Sequence, residues 1–268
     1  MSEAATAQGP PAALFAPDPG AAPLGRMITA QATLETRTLL RNGEQLLLIL
    51  IIPLLLLTAF SLEPLINFGT GLSRIDFLTA GIIALAVMST AFTSQAIATG
   101  FERRYGVLKR LGATPLSRGG LIAAKTVTVM GVELLQGALI IAIALAIGWR
   151  PNASPAAIVT TPLLILLGTA AFSGLALLMA GTLRAEATLA AANLVYILLL
   201  GLGGVVFPLT RFPAEARPVL ELLPTGALST GLRSVLQYGV AFPVGNTITL
   251  AVWAAATIAL AARTFRWD

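Results

Sequence analysis

The fold of this chain is decided by residues 77–118, FLTAGIIALAVMSTAFTSQAIATGFERRYGVLKRLGATPLSR. Residues 77–99 include no charged side chain and are long enough to cross a bilayer as an α-helix. The next 19 residues hold six of the chain's 29 charged residues, of which 17 are basic and 12 acidic in total. We therefore expect a membrane-spanning helix that ends in a short basic loop, presented to something on the cytoplasmic side.

The composition extends this interpretation to the whole chain. Hydrophobic residues make up 56% of the 268 residues, whereas soluble domains are about 45–50% apolar. The apolar residues are concentrated in runs of bilayer-crossing length, without the alternation that a transmembrane barrel requires. The sequence thus predicts an all-α polytopic membrane protein.

Six apolar runs are predicted to span the membrane within one domain, residues 26–268. They are residues 45–62, 77–99, 121–147, 160–183, 189–206 and 247–262. Six spans place both termini on one side, and with the termini inside, twelve of the 17 Lys and Arg residues fall in cytoplasmic segments. Residues 1–25, rich in Ala, Pro and Gly, are predicted to be a disordered cytoplasmic tail.

Several kinds of chemistry are excluded by what the sequence lacks. The chain has no Cys and no His, which excludes disulfides, thiolate nucleophiles and most zinc sites. Residues 119–126 nearly match a phosphate-binding loop, but Ala124 replaces the second glycine of that motif. The net charge of +5 fits basic cytoplasmic loops better than nucleic-acid binding. We expect no cofactor, no nucleic-acid partner and no ATP hydrolysis by this chain alone.

The basic loop, residues 101–112, is predicted to be an amphipathic helix that ends near Gly112 and Pro115. Glu102 has no basic residue three or four positions later with which to pair on the same helix. The loop either docks on lipid or in a partner's groove, or it carries only charges that anchor the spans. Its apolar arc contains Phe101, Tyr105, Val107, Leu108 and Leu111, its polar arc contains Glu102, Arg103, Lys109 and Arg110, and Arg104 falls among the apolar residues.

Two further segments are predicted to be amphipathic helices outside the spans. Residues 27–42 are interpreted as a helix lying in the membrane interface, with Glu35 and Arg37 on its polar side. Residues 213–238 are interpreted as two short helices that lie on or dip into the outer leaflet. The polar face of the second consists of Ser229, Arg233, Ser234 and Gln237.

Glu133 is the only acidic residue well inside a predicted span, and intramembrane acids point to function by default. Gln136 lies one helical turn after it and Thr126 two turns before it. This polar stripe either lines a transport pathway or holds Glu133 in a structural hydrogen bond. The candidate partners for such a bond, across a contact between subunits, are Gln95 and Asn193.

The arrangement resembles the permease subunit of type 2 ABC exporters, and within it the daunorubicin-exporter-like permeases. Segment 101–118, with its Glu-Arg pair, Leu-Lys pair and Thr-Pro turn, is similar to the coupling region of that family. The resemblance implies two permeases, identical or homologous, and two ABC ATP-binding subunits that hold ATP and magnesium, in the plasma membrane of a bacterium. It also implies that the loop is a coupling helix on the ATPase, with Glu102, Arg103 and Arg104 as polar contacts and Tyr105, Leu108 and Leu111 as apolar ones.

The leading hypothesis is the membrane subunit of an ATP-driven exporter, serving efflux of a hydrophobic, amphipathic or lipid-like compound. One alternative is a proton-coupled secondary transporter in which Glu133 carries the proton. A second alternative is a membrane scaffold or regulator that binds a partner without transporting anything.

Overall fold

A computed structural model describes residue 20 and residues 22–62, 73–152 and 154–264. Most of the predicted tail therefore lies outside the described residues. Within the described ranges the chain is helical and contains no strand. The helices are α1 (Leu24–Leu40), α2 (Gly43–Leu46), a π-helical segment (Leu47–Ile51), α3 (Ile52–Leu62), α4 (Arg74–Val87), a second π-helical segment (Met88–Ser94), α5 (Gln95–Arg104), α6 (Val107–Gly112), α7 (Arg118–Ile147), α8 (Pro155–Thr182), α9 (Ala185–Leu202), a 3₁₀ turn (Leu209–Arg211), α10 (Arg217–Leu222), α11 (Pro224–Leu236) and α12 (Val244–Thr264).

Five of these helical stretches are long and apolar enough to cross a membrane, which confirms the prediction of an all-α polytopic membrane protein. They are Arg74–Arg104, Gly119–Ile147, Pro155–Thr182, Ala185–Leu202 and Val244–Thr264. They match the second to sixth predicted spans, with ends that differ by up to five residues. The first predicted span corresponds to α2, the π-helical segment and α3, in which the apolar helix Ile49–Leu62 is shorter than the others.

The helix Arg74–Arg104, which we call the central rod, joins α4, a π-helical segment and α5 without a break. It begins at Ser73, whose Oγ accepts a hydrogen bond from the backbone nitrogen of Asp76 at 3.2 Å. In its most apolar stretch of 18 residues, 94% of the residues are buried inside the bundle. A helix of this length measures about 46 Å, which exceeds the hydrocarbon thickness of about 30 Å. The rod therefore carries its last basic residues beyond the apolar part of the bundle.

Small residues allow some of the spans to approach each other closely. A Cβ atom on Gly174 of α8 would lie 2.9 Å from the backbone nitrogen of Ile258 in α12. A Cβ atom on Gly168 would lie 2.8 Å from Cδ2 of Leu228 in α11. Gly201 in α9 differs, because nothing lies within 4 Å of the same position. Of these three glycines, the two in α8 therefore allow close helix packing, and the one in α9 does not contribute to it.

Helix α11 lies inside the bundle against α4 and α8, which corrects the predicted division into an apolar and a polar face. Ser229 is fully buried and donates a hydrogen bond to the carbonyl of Gly203 at 2.7 Å. Arg233 is only 5% exposed and donates to the carbonyls of Phe77 at 3.0 Å and Val205 at 2.9 Å. Its guanidinium carbon lies 3.7 Å from the centre of the Phe77 ring. The polar side chains of this helix bind internal carbonyls instead of facing solvent.

Candidate functional site

The basic loop folds as two helices, whereas the sequence predicted one helix over residues 101–112. The central rod continues to Arg104, and α6 starts at Val107. Between them Gly106 adopts a left-handed conformation with a φ of 68°, which favours glycine because it has no Cβ atom. Arg110 secures the turn by donating from Nη2 to the carbonyl of Tyr105 at 2.9 Å. We call residues 101–112 the basic corner.

The apolar arc of the basic corner is divided between the inside and the outside of the bundle. Leu108 is 1% exposed and lines a cavity together with residues of α7 and α8, whereas Tyr105 is 64% exposed. The rings of Phe101 and Tyr105 stack with their centres 6.0 Å apart. Leu108 is therefore covered by the chain itself, and Tyr105 is the large apolar side chain that the corner leaves open.

Glu102 points into the bundle and pairs with a residue of another helix. Its Oε2 lies 2.7 Å from Nζ of Lys125 in α7, and Oε1 of Glu35 in α1 lies 3.3 Å from the same nitrogen. Lys125 is 7% exposed, so its charge needs both a partner and hydrogen bonds. Removing these charges from water is unfavourable, and the attraction of Lys125 to each carboxylate offsets part of that cost. The group joins the corner to α1 and α7.

Helix α1 packs along α7 through this same region. Thr128 of α7 donates a hydrogen bond from Oγ1 to the carbonyl of Ala32 at 3.2 Å, and Ala32 is buried. Glu35, which the sequence assigned to the polar side of an interfacial helix, faces α7 because it pairs with Lys125. Arg37 stays exposed, as that interpretation predicted. One face of α1 is thus fixed to the bundle and the opposite face is open.

Two arginines tie the basic corner to the junction between α8 and α9. Arg103 donates a hydrogen bond from Nη2 to the carbonyl of Leu183. Arg104 forms an ion pair with Glu186, in which the two side chains are 49% and 61% exposed. A solvent-exposed pair of this kind contributes only about 0–1 kcal/mol. The hydrogen bond from Arg103 and the buried pairing of Glu102 with Lys125 therefore stabilise the corner more than the exposed Arg104–Glu186 ion pair does.

The open side of the corner is strongly basic. A hollow of ≈ 460 Å³ separates α5 and α6 from the start of α9, and we call it the basic hollow. Lys109, which lines the hollow, and Arg110, which follows it in α6, are both exposed. Its charged lining consists of Arg103, Arg104, Lys109, Arg184 and Glu186, four basic side chains against one acidic.

Glu133 and Gln136, one helical turn apart on α7, contact different neighbouring helices. Oε2 of Glu133 lies 2.7 Å from Oγ1 of Thr169 in α8, and this hydroxyl also lies 2.9 Å from the carbonyl of Ile165. Gln136 binds Thr90 in the central rod at 2.8 Å and donates to the carbonyl of Ile49. A bond from Glu133 to Gln95 or Asn193 would cross a contact between subunits, and it stays a prediction.

Gln95 and Asn193 occupy different surroundings. Gln95 is 8% exposed in the central rod, and its Oε1 has no hydrogen-bond partner among the described residues. Asn193 lies on the exposed side of α9. The partner that Glu133 uses, Thr169, was missed because hydroxyls are common in apolar helices and one more gives no signal in a sequence.

Lys125 and Arg233 are the charged residues whose importance the sequence did not reveal. A lone Lys close to the start of a predicted span requires a partner, and Glu102, unpaired on its own helix, was available to be that partner. The sequence contained no comparable signal for Arg233, because it binds backbone carbonyls and every residue has one. Within the described residues no group of acidic side chains could hold a metal ion.

Taken together, a bundle of apolar helices of bilayer-crossing length with one basic corner defines a multi-pass membrane protein. The sequence model of the ABC-2 type transporter family matches residues 28–236, from α1 to the end of α11. The chain belongs to the ABC-2 type transporter family and is a permease of an ABC transporter. A search of curated proteins finds no match to the chain.

Proposed function

We propose that this permease is the membrane subunit of an ATP-driven exporter, powered by a separate ABC ATP-binding subunit that docks on the basic corner. ATP and magnesium are held by two copies of that subunit, and two permeases, identical or homologous, complete the transporter. Membership of the ABC-2 type transporter family supports this class over a proton-coupled secondary transporter or a scaffold.

The observation that carries the proposal is an exposed basic corner attached to a buried helix. Tyr105, Lys109 and Arg110 are exposed, whereas residues 77–96 of the central rod are all buried. A partner that grips these side chains holds the end of a helix that crosses the whole bundle. Force applied at the corner is thereby transmitted to the spans without a flexible linker.

The residues that the family resemblance implies as ATPase contacts form two groups, those that are exposed and those that face into the bundle. Tyr105, Arg104, Lys109 and Arg110 are the side chains that a docked ATPase reaches. Glu102 and Leu108 face inward, so we assign them to transmission, Glu102 through its pair with Lys125 and Leu108 through its burial in the bundle. Phe101, Arg103 and Leu111, each half-buried, belong with them as supports of the corner.

Export of a hydrophobic, amphipathic or lipid-like compound is supported by the apolar character of the bundle and by the resemblance to daunorubicin-exporter-like permeases. The charge distribution supports a plasma membrane location with both termini cytoplasmic, because basic residues gather at the end of the bundle that carries the corner. A bacterial source follows from the same resemblance. The direction of transport rests on it as well.

The test is to co-purify the permease with an ABC ATP-binding subunit from the same genome and to measure ATP hydrolysis. We expect Tyr105→Ala and Lys109→Glu to weaken co-purification and to lower substrate-stimulated hydrolysis at least several-fold. Arg150→Glu is the matched control, because Arg150 is exposed after the far end of α7, away from the corner. Full assembly and activity in both corner variants would refute docking at this site.

A further inference from the structure

The basic hollow lies where the bundle reaches the edge of the hydrocarbon layer. Helix α9 begins at Ala185, and this residue lines the hollow. The 18 residues of α9 measure about 27 Å, close to the hydrocarbon thickness of about 30 Å. The first residue of a helix that only just crosses the bilayer lies at one edge of the hydrocarbon. The hollow is therefore at the level of the lipid head groups.

Exposed apolar surface begins directly after the hollow. Leu189 comes four residues after Ala185, about 6 Å further along the helix, and is 38% exposed. Leu194 and Ile197 follow on α9 and are 59% and 63% exposed. A molecule that has a polar head group in the hollow can thus place its hydrocarbon chains along α9.

Three basic side chains of the hollow have no acidic partner. The one carboxylate in the described lining is that of Glu186, and it pairs with Arg104. Arg103, Lys109 and Arg184 form no ion pair with any described residue. Around a space of this size the three positive charges repel one another and attract a counter-ion. The hollow therefore favours an anionic ligand.

Two of these cations meet at the junction between α8 and α9. Arg103 donates a hydrogen bond from Nη2 to the carbonyl of Leu183, the residue directly before Arg184. A guanidinium has five N–H donors, so Arg103 keeps others for a ligand. The side chain of Arg184 makes no hydrogen bond to a described residue. Arginine binds phosphate oxygens with two parallel N–H groups, so the junction provides donors that suit a phosphate.

We propose that the basic hollow binds an anionic phospholipid such as phosphatidylglycerol, with its phosphate held by Arg103 and Arg184 and its acyl chains on the exposed side of α9. Basic pockets between membrane helices bind anionic head groups in this way. Phosphatidylcholine also has a phosphate, but Lys109 repels its quaternary ammonium group. Lipid binding is a property of the permease alone. The assignment to the cytoplasmic leaflet rests on the proposed function, which sets that orientation.

An acidic segment of the ATPase is the competing occupant. Tyr105 and Arg110, which a docked ATPase reaches, are absent from the lining of the hollow. Arg104 and Lys109 are common to the hollow and to the docking surface, whereas Arg184 belongs to the hollow alone. Because the hollow extends to the first residue of a span, its position favours a lipid over a protein segment.

The test uses the purified permease in detergent micelles, without any ATPase. A phosphatidylglycerol probe with a photoreactive group near the start of one acyl chain should label the protein saturably, in peptides of α9. Unlabelled dioleoylphosphatidylglycerol should compete at least tenfold more strongly than dioleoylphosphatidylcholine, which corresponds to about 1.4 kcal/mol. Glycerol phosphate, which lacks acyl chains, should not compete at the same concentration.

The site is located by a pair of matched variants. Arg184→Gln should reduce labelling at least threefold, and adding Lys109→Gln should bring the loss beyond tenfold. Arg37→Gln is the control, because it removes the same charge from an exposed position of α1 and should leave labelling unchanged. Arg37 lies at the same end of the bundle, two residues after Glu35, which contacts Lys125. Thermal unfolding of each variant shows that it is folded.

Each contrary outcome has a definite meaning. Equal competition by the two phospholipids, or equal losses in Arg184→Gln and Arg37→Gln, would reveal only general attraction to acidic lipid and would refute the site. Competition by glycerol phosphate would refute recognition of a lipid. Absence of labelling, with weaker ATPase co-purification in Arg184→Gln, would assign the hollow to the ATPase. Loss of ATPase docking with intact lipid binding would refute the proposed function and leave the lipid site in place.

Discussion

Nζ of Lys125 lies 2.7 Å from Oε2 of Glu102, in a pair that joins the start of α7 to the end of the central rod. The two side chains are 8% and 24% exposed, so water screens their attraction only weakly. Glu35 of α1 lies 3.3 Å from the same ammonium group. Three helices therefore depend on one lysine.

Lys125→Met should destabilise the protein strongly, because it leaves two carboxylates without a cation in a largely buried place. Removing one partner of a buried ion pair costs about 3–5 kcal/mol. Thermal unfolding of the detergent-purified protein measures this loss. Glu186→Gln is the control, because it breaks an exposed ion pair and should change the unfolding midpoint little. Similar midpoints for the two variants would contradict the assignment.

Gly106→Ala should loosen the basic corner, because the left-handed backbone at this position costs a residue with a Cβ atom about 1–2 kcal/mol. Space is not the cause, since nothing lies within 4 Å of the added atom. Limited trypsin digestion should cut faster after Lys109 and Arg110. Gly112→Ala adds the same atom, also into open space and without a left-handed backbone, and should leave digestion unchanged.

Arg233→Lys should destabilise the end of the bundle opposite the corner by about 1.5–3 kcal/mol. Lysine keeps the charge but lacks the planar fork that reaches two carbonyls at once and stacks on Phe77. Arg233→Met should cost more, because both carbonyls lose their donor. Chemical unfolding in mild detergent measures the difference, with exposed Arg150→Lys as the control. If Arg233→Lys unfolded like the unaltered protein, the charge alone would matter and the assigned role of the planar fork would be wrong.

Under the proposed function, which uses no proton carrier, Glu133→Gln should preserve ATP-driven transport, because glutamine can keep the contact with Thr169. Uptake of a fluorescent amphipathic amine into inverted vesicles, with ATP and a protonophore, measures this. Gln136→Leu provides the contrast, since it removes the bond to Thr90 and should lower the unfolding midpoint. If Glu133→Gln and the protonophore each abolished uptake, a proton-coupled mechanism would replace the proposed one.

The spans and their approximate ends could be predicted from the sequence, because the hydrophobic effect and backbone hydrogen bonding leave few choices in a bilayer. The basic corner was located by the same reasoning, since charge is scarce elsewhere. The division of the corner into two helices at Gly106 was not predicted, although a glycine at that position is a possible signal for it. A glycine within a short amphipathic pattern permits a left-handed turn without requiring one.

The pairings between helices could not be read from the sequence. Glu102 and Lys125 are 23 positions apart, and their meeting depends on how the central rod and α7 are rotated against each other. Arg233 and Ser229 looked like a polar face because periodicity reports which residues share a side, not what covers that side. Buried carbonyls of Phe77, Val205 and Gly203 cover it here.

The π-helical segment Met88–Ser94 sits between the two ends of the central rod, each of which is bonded to its own neighbours. Deleting a single residue there would rotate the half that bears Glu102 by about 100° relative to the half that bears Phe77. The contacts to Lys125 and to Arg233 could not both survive that rotation. Natural variation in chain length should therefore accumulate in the turns between spans, while the number of residues from Phe77 to Glu102 stays constant across species.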